Sequence, residues 1–353
     1  MKLKNYNFLI LAFVILITGC SFGNEENNIT GKNLLYLDSS SESVIISKDM
    51  SILADSQSVA NSSTPFTQVK AFIPNEKYTQ YMEVQGENFL YIKVPKNDSI
   101  ISGELVFENN SKETILTQTL FLQGNKNVKI KPSNTKKWVP AINYSVQPYS
   151  SVKIKIDIQW DLNGMQELTF FPIDKTSKGN RYNGGNLSNY RFFVQSKDMT
   201  IGKDLLEKQS FKLNESELNS NLNLVPFPSW INKENKEIDV ITENDITLTN
   251  EKISGIKLEE IPYNTEFDVV FIDEFGNSTL LAENVKAQKK KSTFVQFDTT
   301  AINEMYSING RGFIVVFNNR DKEIMADLRS LDTMQKPFFT SYQGILELFD
   351  YKK

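Results

Sequence analysis

The chain predicts an all-β protein: two antiparallel β-sandwich-like domains in tandem, with few short helices. Three observations predict it. Residues 152–160 alternate without a break, with Val152, Ile154, Ile156, Ile158 and Trp160 apolar and the residues between them polar. A period of two is the mark of a strand with one buried and one wet face. Short apolar runs recur along the chain, bounded by Pro, Gly, Asn and Asp, as sandwich strands are. Cys20 is the only cysteine among 353 residues, so no disulfide within the chain can staple it and stability must come from packed cores. The length suffices for two domains of ordinary size.

The elements follow in order. Residues 20–33 are rich in Asn, Glu and Gly and read as a flexible tether, since they have little to bury. The first domain is expected over 34–200. Leu34 to Leu37 and Val44 to Ile46 suggest its first strands, with loops at 39–41 and 61–65. Val69, Phe72, the run 89–95 and Leu105-Val106-Phe107 follow, separated by Pro74-Asn75, Lys96-Asn97-Asp98 and Asn109-Asn110-Ser111. After the strand 152–160 comes Asp161-Leu162-Asn163-Gly164. Asn-Gly suits the positive φ of a tight hairpin, so 167–171 is expected to return as its partner. The phase of the strand puts Trp160 in the core. A loop at Gly184-Gly185 leads to Tyr190 and the strand 190–194.

Residues 201–237 read as a linker rich in Lys, Glu, Asn and Ser, with a short helix at Leu205-Leu206 and stiffening at Pro226 and Pro228. A second β-rich domain is expected over 238–353. Its strands are expected at 246–248, 256–258, 267–271, 294–297, 312–317 and 344–349, with a connecting loop at 273–277. Ile324, Leu328 and Leu331 have helical spacing behind Asp321. No internal repeat is visible.

Composition excludes several chemistries. Histidine is absent, which removes Ser-His-Asp catalysis, His-based zinc sites and histidine pH switches. No nucleotide-cradling glycine loop occurs. Carboxylate-only chemistry, as in glycoside hydrolysis, survives. Asp157, Asp161, Asp273 and Glu274 nevertheless read as solvated sheet and turn residues, because a general acid needs burial or a like charge. The loops 161–164 and 273–277 lack the ligand spacing of a calcium site, so no metal and no cofactor is expected. No catalytic residue is assigned.

Aromatic residues are abundant, with 3 Trp, 13 Tyr and 24 Phe. Trp138, Tyr144, Tyr149, Tyr182, Tyr190 and Trp230 lie in or beside expected loops, where aromatics suit sugar faces or protein hot spots. Trp138, Trp230, Tyr149 and Tyr182 are the candidate binding residues. The basic cluster Lys286, Lys289, Lys290 and Lys291 reads as a solvated hairpin tip.

Two resemblances add to this reading. Lys2 and Lys4 precede an apolar run at 8–17 that is too short to span a bilayer, and Ile17-Thr18-Gly19-Cys20 closes it. This segment resembles the lipobox signal of bacterial lipoproteins, which implies removal of residues 1–19 and lipidation of Cys20. Two or more acyl chains anchor a protein stably. The resemblance implies a bacterial cell membrane or outer membrane location with an extracytoplasmic body; Ser21 fits the outer-membrane-sorted class. Removing Lys2 and Lys4 leaves 37 basic against 43 acidic residues, a net charge of −6. That balance argues against nucleic acid as a partner. The stretch of about 95–195, with its runs at 103–111, 146–151 and 152–160, resembles a bacterial immunoglobulin-like domain and implies the same sandwich. The expected function is a membrane-anchored envelope lipoprotein acting as a non-enzymatic binding, adhesion or assembly module toward a protein or glycan. The alternative is a carboxylate-dependent glycan hydrolase or its carbohydrate-binding subunit.

Overall fold

The computed structural model describes residues 34–37, 44–47, 68–84, 87–109, 111–175, 190–195, 210–211, 221–222, 228–238, 241–243, 246–248, 252–273, 275–307, 311–318, 324–325 and 343–349. They belong to one compact unit, Asn33–Lys353. Cys20, Tyr182, Glu274 and the expected helix at Leu205-Leu206 lie outside the described residues.

The unit is all-β. Its first strands are β1 (Leu35–Leu37), β2 (Val44–Ser47), β3 (Gln68–Pro74), β4 (Thr79–Val84), β5 (Glu87–Lys93), β6 (Ile100–Asn109) and β7 (Ile115–Gln123). Then come β8 (Lys126–Val128), β9 (Ile130–Pro132), β10 (Ala141–Val146), β11 (Ser150–Gln159), β12 (Glu167–Asp174) and β13 (Tyr190–Gln195). One sheet runs β1-β10-β7-β12-β13-β5-β4 with β8 beside β7, and the facing sheet runs β2-β11-β6-β3 with β9 beside β11. Pairing is antiparallel except at β1–β10 and β13–β5.

The core between these sheets is what the alternation predicts. Ile154, Ile156, Ile158 and Trp160 are buried, while Lys155 and Gln159 on the same strand are exposed. Phe121 of β7 meets Phe72 of β3 edge-on at 5.0 Å between ring centroids and lies 5.2 Å from Phe170 of β12. Phe107 and Tyr144 approach to 4.3 Å. Offset and edge-on aromatic contacts of this kind add to simple burial. Tyr144, expected beside a loop, is a core residue on β10 with 1% exposure.

The connection after β11 differs from the expected hairpin. β11 and β12 belong to different sheets, so 161–166 is an arch that carries the chain across the core. Neither Asn163 nor Gly164 has positive φ. The physical reason lies in Gln123, 38 residues away from Asp161 in sequence. Its amide donates to the carbonyls of Asp161 (2.7 Å) and Met165 (3.0 Å), and its Oε1 accepts from Asp161 N–H (3.0 Å). The Gly164 position is crowded by that amide, so a Cβ there would clash. Glycine is needed for close approach, not for its φ.

The remaining strands are β14 (Ser210–Phe211), β15 (Pro228–Ile231), β16 (Ile241–Glu243), β17 (Ile246–Leu248), β18 (Gly255–Leu258), β19 (Thr265–Ile272), β20 (Ser278–Ala287), β21 (Thr293–Gln296), β22 (Arg311–Asn318), β23 (Ile324–Met325) and β24 (Gln343–Phe349). They include a sheet β20-β19-β22-β24 and a smaller one, β15-β18-β21. Ile324 lies in β23, paired with β14, so the helix expected from 324 does not begin there; Leu328 and Leu331 lie outside the described residues. Among the described residues the single α-helix is α1 (Thr300–Ser307), which the sequence reading missed. Its signal is Asp298, whose carboxylate accepts from Thr300 N–H at 2.9 Å, followed by buried Ile302 and Met305 one turn apart.

A second core lies on the far side of β7, β10 and β12. Leu120, Leu122, Ala141, Phe171 and Ile173 pack with Val270, Ile272, Phe313 and Val315 of β19 and β22. The larger sheet is therefore covered on both faces at β7, β10 and β12.

Candidate functional site

Two polar regions of the body bring functional groups together. The first is the wet face of the sheet containing β6, β9 and β11. Asp157 points outward as its phase predicts, but it is half-buried and well partnered. Ser102 Oγ donates to it at 2.8 Å and Lys131 Nζ lies 3.2 Å away. Lys131 also sits over the Trp138 ring, 5.1 Å from its centroid, within the range of a cation–π contact. Trp138 is half-buried. A neighbouring groove of about 450 Å³ is lined by Pro74, Asn75, Glu76, Ser102, Glu104, Ser133 and Lys155. Strand alternation explains this grouping, because Ser102, Glu104, Lys155 and Asp157 occupy outward positions on paired strands.

The second region is a cleft of about 570 Å³ beside the arch. Gln123, Asn125, Lys126, Asn127, Lys129, Gln159, Trp160, Asp161 and Met165 line it, together with Glu283 of β20. Its amides brace the wall. Asn125 Nδ2 donates to the fully buried carboxylate of Asp268 at 3.2 Å, and Asp268 also accepts from Asn284 N–H at 2.8 Å. Asn127 donates from its amide to Gly276 O (2.8 Å) and from its backbone to Ser278 Oγ (2.9 Å). Asp161 and Glu283 share this cleft but are exposed. That is not the buried setting used by a general acid.

The sequence candidates fare differently. Trp230 is 3% exposed, on β15 opposite Ile256. It is a core residue and offers no face to a ligand, because the stretch read as a stiffened linker forms β15 and pairs with β18. Tyr149 is 60% exposed at the turn into β11, with φ of 50°. Trp138 and Tyr149 thus remain accessible; they lie on different elements. Asp273 is half-buried, not solvated. Its carboxylate caps the loop 273–277, accepting from Phe275 N–H, Asn277 N–H and Asn277 Nδ2, each at 2.8 Å. Burial pushes its pKa up, against the hydrogen bonds that pull it down. Lys286, Lys290 and Lys291 are exposed at and after the end of β20, with Lys286 opposite Glu266. No group of His, Cys, Asp and Glu suited to a metal ion occurs among the described residues, and no described helix is long and apolar enough to cross a membrane.

No protein-family model matches the chain, and no curated protein matches it. Red sea bream transglutaminase is similar at 7% identity with a TM-score of 0.21, over 82% of this chain and 32% of that one. The calcium binding domain CBD12 of CALX1.1 is similar at 7% identity with a TM-score of 0.19, over 70% of this chain and 79% of that one. The chain therefore spans 32% of the transglutaminase's length. The all-β class rests on the strands and their pairing.

Proposed function

We propose that the chain is a membrane-anchored envelope lipoprotein, lipidated at Cys20, whose immunoglobulin-like β body is a non-enzymatic binding, adhesion or assembly module for a protein or glycan. The lipobox resemblance of Ile17-Thr18-Gly19-Cys20 supports the anchor. The observation that carries the binding reading is the wet sheet face at Trp138. There a half-buried indole, braced by Lys131, stands near a groove of hydroxyl, amide and charged groups. Rigid aromatics with polar neighbours are the usual anchors of recognition surfaces.

Two measurements test this. Cys20→Ala should move the protein out of the membrane fraction or leave the precursor uncleaved. A processed mutant that stays on the membrane contradicts the anchor. Purified residues 21–353, screened against envelope polysaccharides and proteins, should bind a partner without converting it. Trp138→Ala should weaken that binding by about 2 kcal/mol or more while leaving the melting temperature nearly unchanged. Release of sugar products would instead favour the hydrolase reading.

A further inference from the structure

The cleft beside the arch is separate from the Trp138 surface, and we propose that it is a second ligand site, for a neutral, hydroxyl-rich molecule such as the end of a glycan chain. Its volume, about 570 Å³, is that of a small-molecule site. Its charged lining consists of Lys126 and Lys129 against Asp161 and Glu283, all four exposed. Two cations and two anions give no net attraction for a charged ligand. A hydroxyl group both donates and accepts, so a polyol can answer the carboxylates and the ammonium groups alike, through bonds strengthened by their charge.

The wall is preformed. Gln123, Asn125 and Asn127 have their amides engaged with Asp161, Met165, Asp268 and Gly276, so the cleft needs little ordering on binding. One donor is left over. Trp160 Nε1 is buried and has no hydrogen-bond partner among the described residues. Trp160 also lines the cleft, so its indole signal reports on what occupies it. Val128 and Met165 offer apolar surface to the C–H faces of a ring.

The test uses residues 21–353, which contain the whole compact unit, labelled with ¹⁵N at the indoles. Three tryptophans give three indole N–H signals; Trp138→Phe and Trp230→Phe identify that of Trp160. Glucose, N-acetylglucosamine, cellobiose and chitobiose are titrated in, with inorganic phosphate and free lysine as charged comparators. At least one neutral sugar should shift the Trp160 signal saturably, and the charged compounds should not. Lys129→Ala and Glu283→Ala should each weaken that binding at least fivefold with unchanged melting temperature, and Tyr81→Ser, on an exposed edge strand, should not. Absence of a saturable shift with every sugar, a shift with phosphate or lysine alone, or unaltered affinity in both cleft variants overturns the proposal. Trp138→Ala separates the two readings: loss of polymer adherence with the Trp160 shift retained assigns the two events to different surfaces.

Discussion

Strands β11 and β7 lie in facing sheets of one sandwich, yet they meet water differently. β11 alternates: Ile154, Ile156 and Ile158 are fully buried, whereas Lys155 and Gln159 are exposed. β7 is buried at every position except Leu116, and its Leu120-Phe121-Leu122 run is apolar on both sides. Phe121 faces the sandwich core, and Leu120 and Leu122 face β19 and β22. A strand that alternates has one wet face. A strand that reads as a continuous run has lost both faces to protein. The same contrast marks Phe170-Phe171 on β12 and the long apolar stretches of β19 and β22, so those runs record the seam.

The largest expected effect tests the dry side of β11. Trp160→Ala in residues 21–353 should cost about 3–5 kcal/mol, read as a fall in the denaturation midpoint. Lys155→Ala on the wet side should change it little. Equal effects would break the assigned phase.

The next test concerns the second face of β7. Leu120→Ala should cost about 2–5 kcal/mol, comparable with Ile154→Ala, since both side chains are fully buried. A Leu120 variant as stable as the parent would mean that this face is as wet as that of β11.

A smaller effect is expected at the polar rim of the seam. Asn125→Ala removes the amide that donates to buried Asp268, and weakening the support of a buried carboxylate should cost about 1–3 kcal/mol. Gln159→Ala, exposed on β11, is the reference and should be near neutral.

The smallest effect is a pH dependence at Asp273. Burial raises its carboxyl above the ordinary 3.8, so the folded state holds that proton more tightly than the unfolded chain. Its contribution to stability is therefore fullest below 3.8 and is lost as pH rises through the raised folded value. Asp273→Asn should gain on the parent as pH climbs from below 3.8 to neutrality, measured as the difference between their denaturation midpoints. A difference that is flat with pH would show that the loop leaves Asp273 as wet as the β11 face.

Much of the fold is legible in the residues. The positions of β2, β6, β11, β17, β18, β19 and β22, the burial of Trp160 and the turn role of Asp273 all follow from alternation and turn chemistry. The candidate site is legible only in part. Trp138 could be picked out by its loop setting, but the same reasoning picked Trp230, which is buried on β15. The cleft beside the arch has no local signal, because Gln123, Gln159, Asp161 and Glu283 are unremarkable polar residues spread over four segments.

By itself, the sequence determined which face of an alternating strand such as β11 leaves water, since periodicity and hydrophobicity are properties of the chain. It also determined the all-β class and where the chain turns. Only the tertiary structure decided which neighbour receives each apolar face. It turned the connection after β11 into an arch held by Gln123, covered both faces of β7, β10 and β12, buried Trp230 and opened the cleft at Trp160. The physical reason is that burial is non-directional and proportional to area. An apolar run states that it must be covered, but long-range hydrogen bonds such as Gln123 to Asp161 and Asn125 to Asp268 select what covers it.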